Sequence, residues 1–412
     1  MSEDLVNEII SGEVKAHELG AKLGSEEKAA AVRREYLRKR YGKELEHVAK
    51  GSMDYEDAGA RNIENVIGVS QVPLSYVEIA VSGDYARGAE RYPVYMATTE
   101  GRLVAGVTRG AAAISASGGA RAAVLDDKMT RSVLVDVDGI ADARKVIAFV
   151  NSEEGIALIR KSFAGSTRHG EFLGMDCYTT GRRVFLVYRV STKAAMGMNM
   201  VTIAANGATG EVVSLLGKRG VRCRIVSESG NMCVDKKPAA INTIRGRGVS
   251  VVAEAVIPRE VVRERLRAEP EAIVEINYAK NYLGSGYAGS LGHNGHVANM
   301  LAAIFIAYGQ DVAQIVDGAN AIDDAAVTEK GDLYFSVFLP SLEVGTFGGG
   351  TKRETQMELL KSTGVYGEGD SAGDTKRKFA ELVAAVCLAG EVNLLASEAT
   401  GQVTKAHASI KR

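Results

Sequence analysis

Cysteine is scarce: Cys177, Cys223, Cys233 and Cys387 are the only four in 412 residues. None forms a Cys-x-x-Cys pair, so no paired-thiol motif is present and the chain suits a reducing cytoplasm. Net charge is almost absent, with 50 basic against 51 acidic side chains. Nothing in that balance attracts nucleic acid or an anionic membrane, and any bound phosphate must be held locally. No basic stretch followed by an apolar core opens the chain, which begins MSEDLVNEII. The longest apolar run, Val297 to Tyr308, is interrupted by Asn299 and falls short of the roughly 20 residues a membrane span needs. It reads as a buried core helix. Proline is rare beside glycine, 6 against 46, a ratio that favours turns and close backbone approaches over a plain helical bundle. The length asks for two or three domains.

The fold class expected is α+β. Residues 1–60 are charged and helical in pattern, a preface that packs on something else. PVYMATTEG then runs from a short strand into a helix with Leu103, Val104, Val107 and Ile114 on its apolar side, which puts Glu100 near a helix start. Between Ser132 and Ser227 the elements order as strand (VLVDV), helical region (ADARKVIAFVN through GIALIRKSF), two strands (FLGMDCYTT, RVFLVYRVS), helix (MNMVTIAANGATGEVVSLL) and strand (VRCRIV). That β-α-β-β-α-β order is ferredoxin-like. It predicts a small unit at 133–227 inserted into a large, mostly helical one at 61–132 and 228–412. No glycine fingerprint follows the first strand, which disfavours a Rossmann fold.

Four stretches could carry chemistry. SESGNMCVDKKPAAIN, Ser227 to Asn242, brings together Ser229, Asn231, Asp235, Lys236 and Lys237. Adjacent lysines are usually a solvated face, but the small apolar PAAIN predicts a packed loop and a fixed cation. GTFGGGT, Gly345 to Thr351, is either a tight turn or a backbone cradle for a phosphate or cofactor ring. AAMGMNM, Ala194 to Met200, lies between a strand and a helix, where methionines fill cores and helix starts attract anions. Glu100 and Asp311 are isolated acids in apolar contexts, candidates for a shared site or a structural ion pair. Among the histidines, His17 and His47 fall in the charged preface. His293 and His296 share a helical face with Asn299; no third ligand accompanies them, so no metal site is expected. His407 lies in the tail TKAHASIKR.

Taken in order, ENVIG, ATTEG, MTR, MGMNM, SGNMCVDKKPAAIN, HVAN, GQD, GTFGGGT and the terminal histidine segment resemble the class I type of 3-hydroxy-3-methylglutaryl-CoA reductase, from about Arg61 onward. The soluble archaeal form is the nearer comparison, without the eukaryotic membrane anchor or a serine beyond Arg412 for regulatory phosphorylation. The resemblance implies catalytic roles for Glu100, Lys236, Asp311 and His407. It implies substrate contacts at Arg131, Ser229, Asn231, Asp235, Lys237, Lys280, His296 and Asn299, with coenzyme A at Arg109. It implies a nicotinamide cofactor, NADPH in preference to NADH, at Met196, Gly197, Met198, Asn199 and Gly348, Gly349, Gly350, held by the 133–227 unit. The larger unit would bind HMG-CoA and dimerise. The implied reaction makes mevalonate for isoprenoids; an NAD-linked degradative enzyme is the alternative. A silent coenzyme A-binding scaffold is disfavoured because all four catalytic positions are filled.

The resemblance further implies a homodimer, or a tetramer of paired dimers, with each active site between two subunits. Helix geometry agrees, because Asn299 and Asp311 on one continuous helix would stand about 18 Å apart. Three positions depart from the family pattern: Ala194 replaces an aspartate, Thr108 an asparagine, and Glu154-Gly155 the Ser-Arg pair that grips a 2'-phosphate.

Overall fold

The computed structural model describes residues 2–51, 69–86 and 90–401. The ENVIG segment and His407 lie outside the described residues. Nine strands are present among those described: β1 Leu74–Gly83, β2 Glu90–Ala97, β3 Ala120–Val137, β4 Glu171–Thr180, β5 Arg183–Ser191, β6 Cys223–Ser227, β7 Gly248–Ile257, β8 Ile322–Val327 and β9 Leu333–Leu342. The larger unit therefore carries a six-stranded sheet as well as the helices its sequence suggested. Its strands run β2-β1-β3-β7-β9-β8. Of the strands missed, GVSVVAEAVI is inaccessible on both faces over its first four residues and LYFSVFLPSL over most of its length. A strand covered on both sides loses the in-out alternation that marks it in a sequence.

β3 joins two sheets. Its first half pairs with β7, from Arg121↔Glu254 to Lys128↔Gly248, and its second half with β5, from Met129↔Val190 to Asp136↔Arg183. β6 pairs with the far side of that second half and β4 with β5, all antiparallel, so the smaller sheet runs β6-β3-β5-β4. Val133, Val135, Leu186 and Tyr188 face helices through Ile159, Phe163, Val201 and Ala205, a core separate from the large one. The expected single helical region here is two helices, Ile140–Val150 and Glu153–Ser166. Ser152 breaks it by accepting the Gly155 N–H at 3.1 Å. Asp136, buried at the sheet end, is gripped by Arg182 (2.7 Å), Arg183 (2.8 Å) and Arg224 (3.2 Å).

The preface helix Glu26–Tyr41 is capped by Ser25 and ended by Gly42 at φ 67°. Its buried Tyr36 donates to Glu78 of β1 at 3.0 Å, which docks the preface on the large core. Two helices, Met198–Lys218 and Asp374–Ala399, are long and apolar enough to cross a membrane. The second has 89% of its apolar window buried within this chain and carries Lys376, Glu381 and Glu391 inside the protein. It is the central core helix.

Candidate active site

The loop after β6 departs from ordinary backbone geometry. Asn231, Val234 and Lys236 have φ of 58°, 41° and 60°, a region that non-glycine residues seldom occupy. Internal hydrogen bonds hold it there. Asn242, buried, donates to the Val234 carbonyl at 2.9 Å, and the Lys236 N–H donates to Asp317 Oδ2 at 3.0 Å. From that pinned backbone Lys236 Nζ reaches Asp311 Oδ2 at 2.7 Å. The Asp311 hydrogen bond holds the Lys236 amine above the usual lysine range, so it is a cation at neutral pH. Asp311 also accepts the Ala313 N–H at 3.2 Å. Asp235 accepts from Gln314 at 2.9 Å and pairs with Arg247 at 3.1 Å. Burial works to raise its carboxyl, yet Arg247, Gln314, Arg131 and Lys236 together keep it below the usual range. Arg131 donates to Ser229 Oγ at 3.1 Å and to Thr202 at 2.8 Å. Lys237 donates to the Asp235 carbonyl at 3.0 Å, and Asn231 is exposed.

A second group forms elsewhere. Glu100 is exposed in the loop between β2 and the helix Leu103–Ala116. It accepts from Asn299 Nδ2 at 3.4 Å, and Asn299 reaches His296 Nδ1 at 3.2 Å. His296 Nε2 faces the Gly390 carbonyl at 3.1 Å, so the proton belongs on Nε2 and Nδ1 accepts from Asn299. The long helix Asp374–Ala399 backs this group throughout. Its Glu391 accepts the His296 N–H at 2.7 Å, Glu398 pairs with Lys280 at 2.7 Å, and Asn393 and Ser397 each accept from Arg109 at 2.6 Å.

Three expectations are corrected here. His293 and His296 share no helical face: His296 precedes the first turn of Val297–Tyr308, and His293 bridges Ile322 and stacks on Tyr282. Asn299 and Asp311 are not on one continuous helix, because Gly309 at φ 65° ends it. Glu100 and Asp311 are not partners within this chain, and Glu100 is exposed. The two groups occupy opposite ends of a 12-residue helix, a length of about 18 Å.

The two glycine-bearing segments lie against each other and against the lysine group. The Thr346 N–H donates to the Ala194 carbonyl at 2.8 Å, and a Cβ on Gly345 would come within 2.5 Å of the Met196 nitrogen. The Gln310 amide clamps Gly345, donating to its carbonyl at 3.0 Å and accepting its N–H at 2.8 Å. Gly348 and Gly349 have φ of 86° and 55°, with open space where a Cβ would be. That room suits the close approach of a flat or anionic group. Gly197, at φ 79°, precedes the helix Met198–Lys218; Asn199 is exposed there, while Met198 is buried with its sulfur 2.8 Å from Arg247. Glu154 is paired with Arg219 at 3.0 Å.

Sequence reasoning missed the residues behind both groups: Arg247, Gln314, Asp317 and Glu343 behind the lysine, Glu391, Asn393 and Glu398 behind the glutamate. The readable signal was a charge embedded in an apolar run, as in RGVSVVAEAV and FLPSLEVG, since such a charge must find a buried partner. Carboxylate oxygens of Asp235, Asp317 and Glu343 lie within 4.8 Å of one another. The cation among them is the Arg247 guanidinium.

Comparison with known proteins assigns the class. Residues 29–412 match the family profile of hydroxymethylglutaryl-coenzyme A reductase. The 3-hydroxy-3-methylglutaryl-coenzyme A reductase of Pyrococcus abyssi is 43% identical, covering 100% of this chain and 99% of its own. That of Aeropyrum pernix is 46% identical over 100% of this chain and 96% of its own, and that of Methanocaldococcus jannaschii 42% over 99% of each. Among solved structures, the NADPH-bound class II enzyme of Streptococcus pneumoniae superposes with a TM-score of 0.65 at 18% identity, covering 85% of this chain and 91% of that one. That last likeness is one of fold. The chain belongs to the hydroxymethylglutaryl-coenzyme A reductase family.

Proposed function

We propose that this chain is a class I reductase that converts HMG-CoA to mevalonate and coenzyme A with two NADPH, as a soluble cytoplasmic enzyme of isoprenoid synthesis. The observation that carries the reading is the Lys236 amine, 2.7 Å from Asp311 on a loop the protein holds in strain beside an open glycine turn. Reduction of a thioester carbonyl puts negative charge on its oxygen, and a pre-positioned cation there is worth about 3 to 4 kcal/mol. Lys236 supplies it. Glu100 protonates the oxygen of the aldehyde formed, and His407 protonates the departing thiolate. Arg131, Ser229, Asn231, Asp235 and Lys237 hold the acyl end on the lysine side. Lys280, His296, Asn299 and Arg109 serve the substrate from the glutamate side.

NADPH, when bound, supplies hydride. Met196, Gly197, Met198 and Asn199 with Gly348, Gly349 and Gly350 would hold it against a ferredoxin-like unit at 133–227. The Glu154–Arg219 pair puts a guanidinium beside the acid that would otherwise repel a 2'-phosphate, which supports NADPH. Catalytic efficiency with NADH equal to or above that with NADPH would reverse this preference.

The separation of the two groups supports a homodimer in which Glu100 of one subunit meets Lys236 of the other. Mixing tests it. Chains carrying Lys236→Ala and chains carrying Glu100→Gln, each inactive alone, should regain about a quarter of wild-type activity when co-assembled. Half of the dimers are then mixed, and one of the two sites in each is intact. No recovery would place the whole site within one chain. The primary assay is NADPH oxidation, followed by absorbance, with HMG-CoA; no oxidation would defeat the reading.

A further inference from the structure

We propose that Asp317, backed by the buried Arg247–Glu343 pair, is the positioning residue for Lys236, fixing where the amine stands by pinning the backbone of a strained loop. This rests on the catalytic reading of Lys236 given above.

Left-handed conformations at Val234 and Lys236 persist only where the surroundings over-determine them, and a β-branched residue there is the more unusual. Two bonds do so, and both lead to Asp317. Its Oδ2 accepts the Lys236 N–H at 3.0 Å. Its Oδ1 accepts at 3.2 Å from the Asn242 amide that also holds the Val234 carbonyl. Asp317 is fully buried, so no water can replace either contact. Its counter-charge is Arg247, likewise fully buried, 3.7 Å from Oδ2.

The same guanidinium nitrogen serves Asp235 at 3.1 Å and bonds Glu343. Three carboxyls therefore converge on one buried cation, Asp317 and Glu343 inside the protein and Asp235 partly exposed at the rim. Burial pushes both Asp317 and Glu343 up from the usual carboxylate range, with Arg247 pulling each the other way. A buried polar network of this kind is rigid when complete and re-sorts when one member changes. Asp317 thus secures the backbone at and just before the lysine, Asp235 is held beside it by Gln314 and Arg247, and the Asp311 contact at 2.7 Å is the outcome.

The test uses the full-length protein. Asp317→Asn keeps the shape but offers oxygen to only one of the two donors. It should lower kcat about 10²-fold, the scale of a misplacement near 1 Å, with KM little changed. Combined with Lys236→Ala it should cost nothing further, since both act through one amine. Independently of activity, lysine amines labelled by ¹³C-methylation can be titrated by NMR, with Lys236 assigned through Lys236→Arg. In Asp317→Asn the Lys236 amine should titrate lower, back toward an ordinary lysine, as its contact with Asp311 loosens. An unshifted titration, or losses that multiply in the double variant, would overturn the proposal. Failure of the wild type to reduce HMG-CoA would defeat the functional reading alone and leave the titration to judge this one. Glu343→Gln carries the same measurements if Asp317→Asn does not fold.

Discussion

The two ends of the helix Val297–Tyr308 are built on opposite plans. At one end Lys236 rests on a wholly internal frame: a buried arginine, two buried carboxyls and a strained loop, all supplied by one chain. At the other, Glu100 is exposed, its carboxylate accepting from Asn299 at 3.4 Å, while its neighbours His296, Lys280 and Arg109 are tied to the long core helix. On the proposed mechanism the cation that meets developing charge is pre-organised, as electrostatic catalysis requires. The acid is left open to water. In the proposed dimer the partner subunit is the surface that would cover it.

The contrast can be broken at its strongest point first. Lys236→Ala should lower kcat by about 10²- to 10³-fold and leave the thermal midpoint nearly unchanged, because the half-exposed amine contributes charge and little packing. Near-normal turnover would remove the lysine from the mechanism. His407→Ala should come next, with about 10²-fold loss of HMG-CoA reduction and most mevaldehyde reduction retained, since the aldehyde has no thiolate to protonate. Equal losses with the two substrates would mean the tail histidine acts by covering the site. Lys237→Ala should act on affinity, raising KM about tenfold with kcat kept, an effect worth about 1.4 kcal/mol; a fall in kcat alone would reassign it.

The smallest effect on catalysis belongs to a residue outside both ends. Hydrogen bonding from Arg182, then the charges of Arg183 and Arg224, hold the Asp136 carboxyl below its usual range against burial. A depressed folded pKa gives stability that is present above the unfolded value, about 3.9, and is lost as pH falls through the folded one. Asp136→Asn should therefore be less stable than wild type at pH 7, and the gap should narrow below about pH 4. Its turnover per folded molecule should be unchanged. A gap that is constant with pH would show that shape, not charge, is what Asp136 contributes.

The order of strands and helices over 133–227 could be read in advance, apart from the break at Ser152, because each element carries its own local pattern and the joining turns are short. The large sheet could not. β7 is covered on both sides, and its partner β9 lies some eighty residues along the chain, so no local pattern announces the pair. The site divides in the same way. Residues that chemistry singles out, Lys236 in its DKK run or Glu100 before a helix, were visible as types. Their supports were not, because Arg247 meets Glu343 only through the β7·β9 pairing, 96 residues apart, and Glu100 meets Asn299 across 199. The prediction of one helix through Asn299 and Asp311 failed at Gly309, where an apolar run with a glycine near its end was read past its cap.

β3 changes partners between two consecutive residues, leaving β7 at Lys128↔Gly248 and taking up β5 at Met129↔Val190. The two cores therefore share one strand as a common beam. Arg131 lies just beyond the change of partner, on the half of β3 that belongs to the smaller core, while Lys236 is tied to Asp311 and Asp317 of the larger. The 3.8 Å approach of Arg131 to Asp235 spans the two, so the spacing of that guanidinium and carboxylate is set by how β3 crosses from one sheet to the other and not by packing within either.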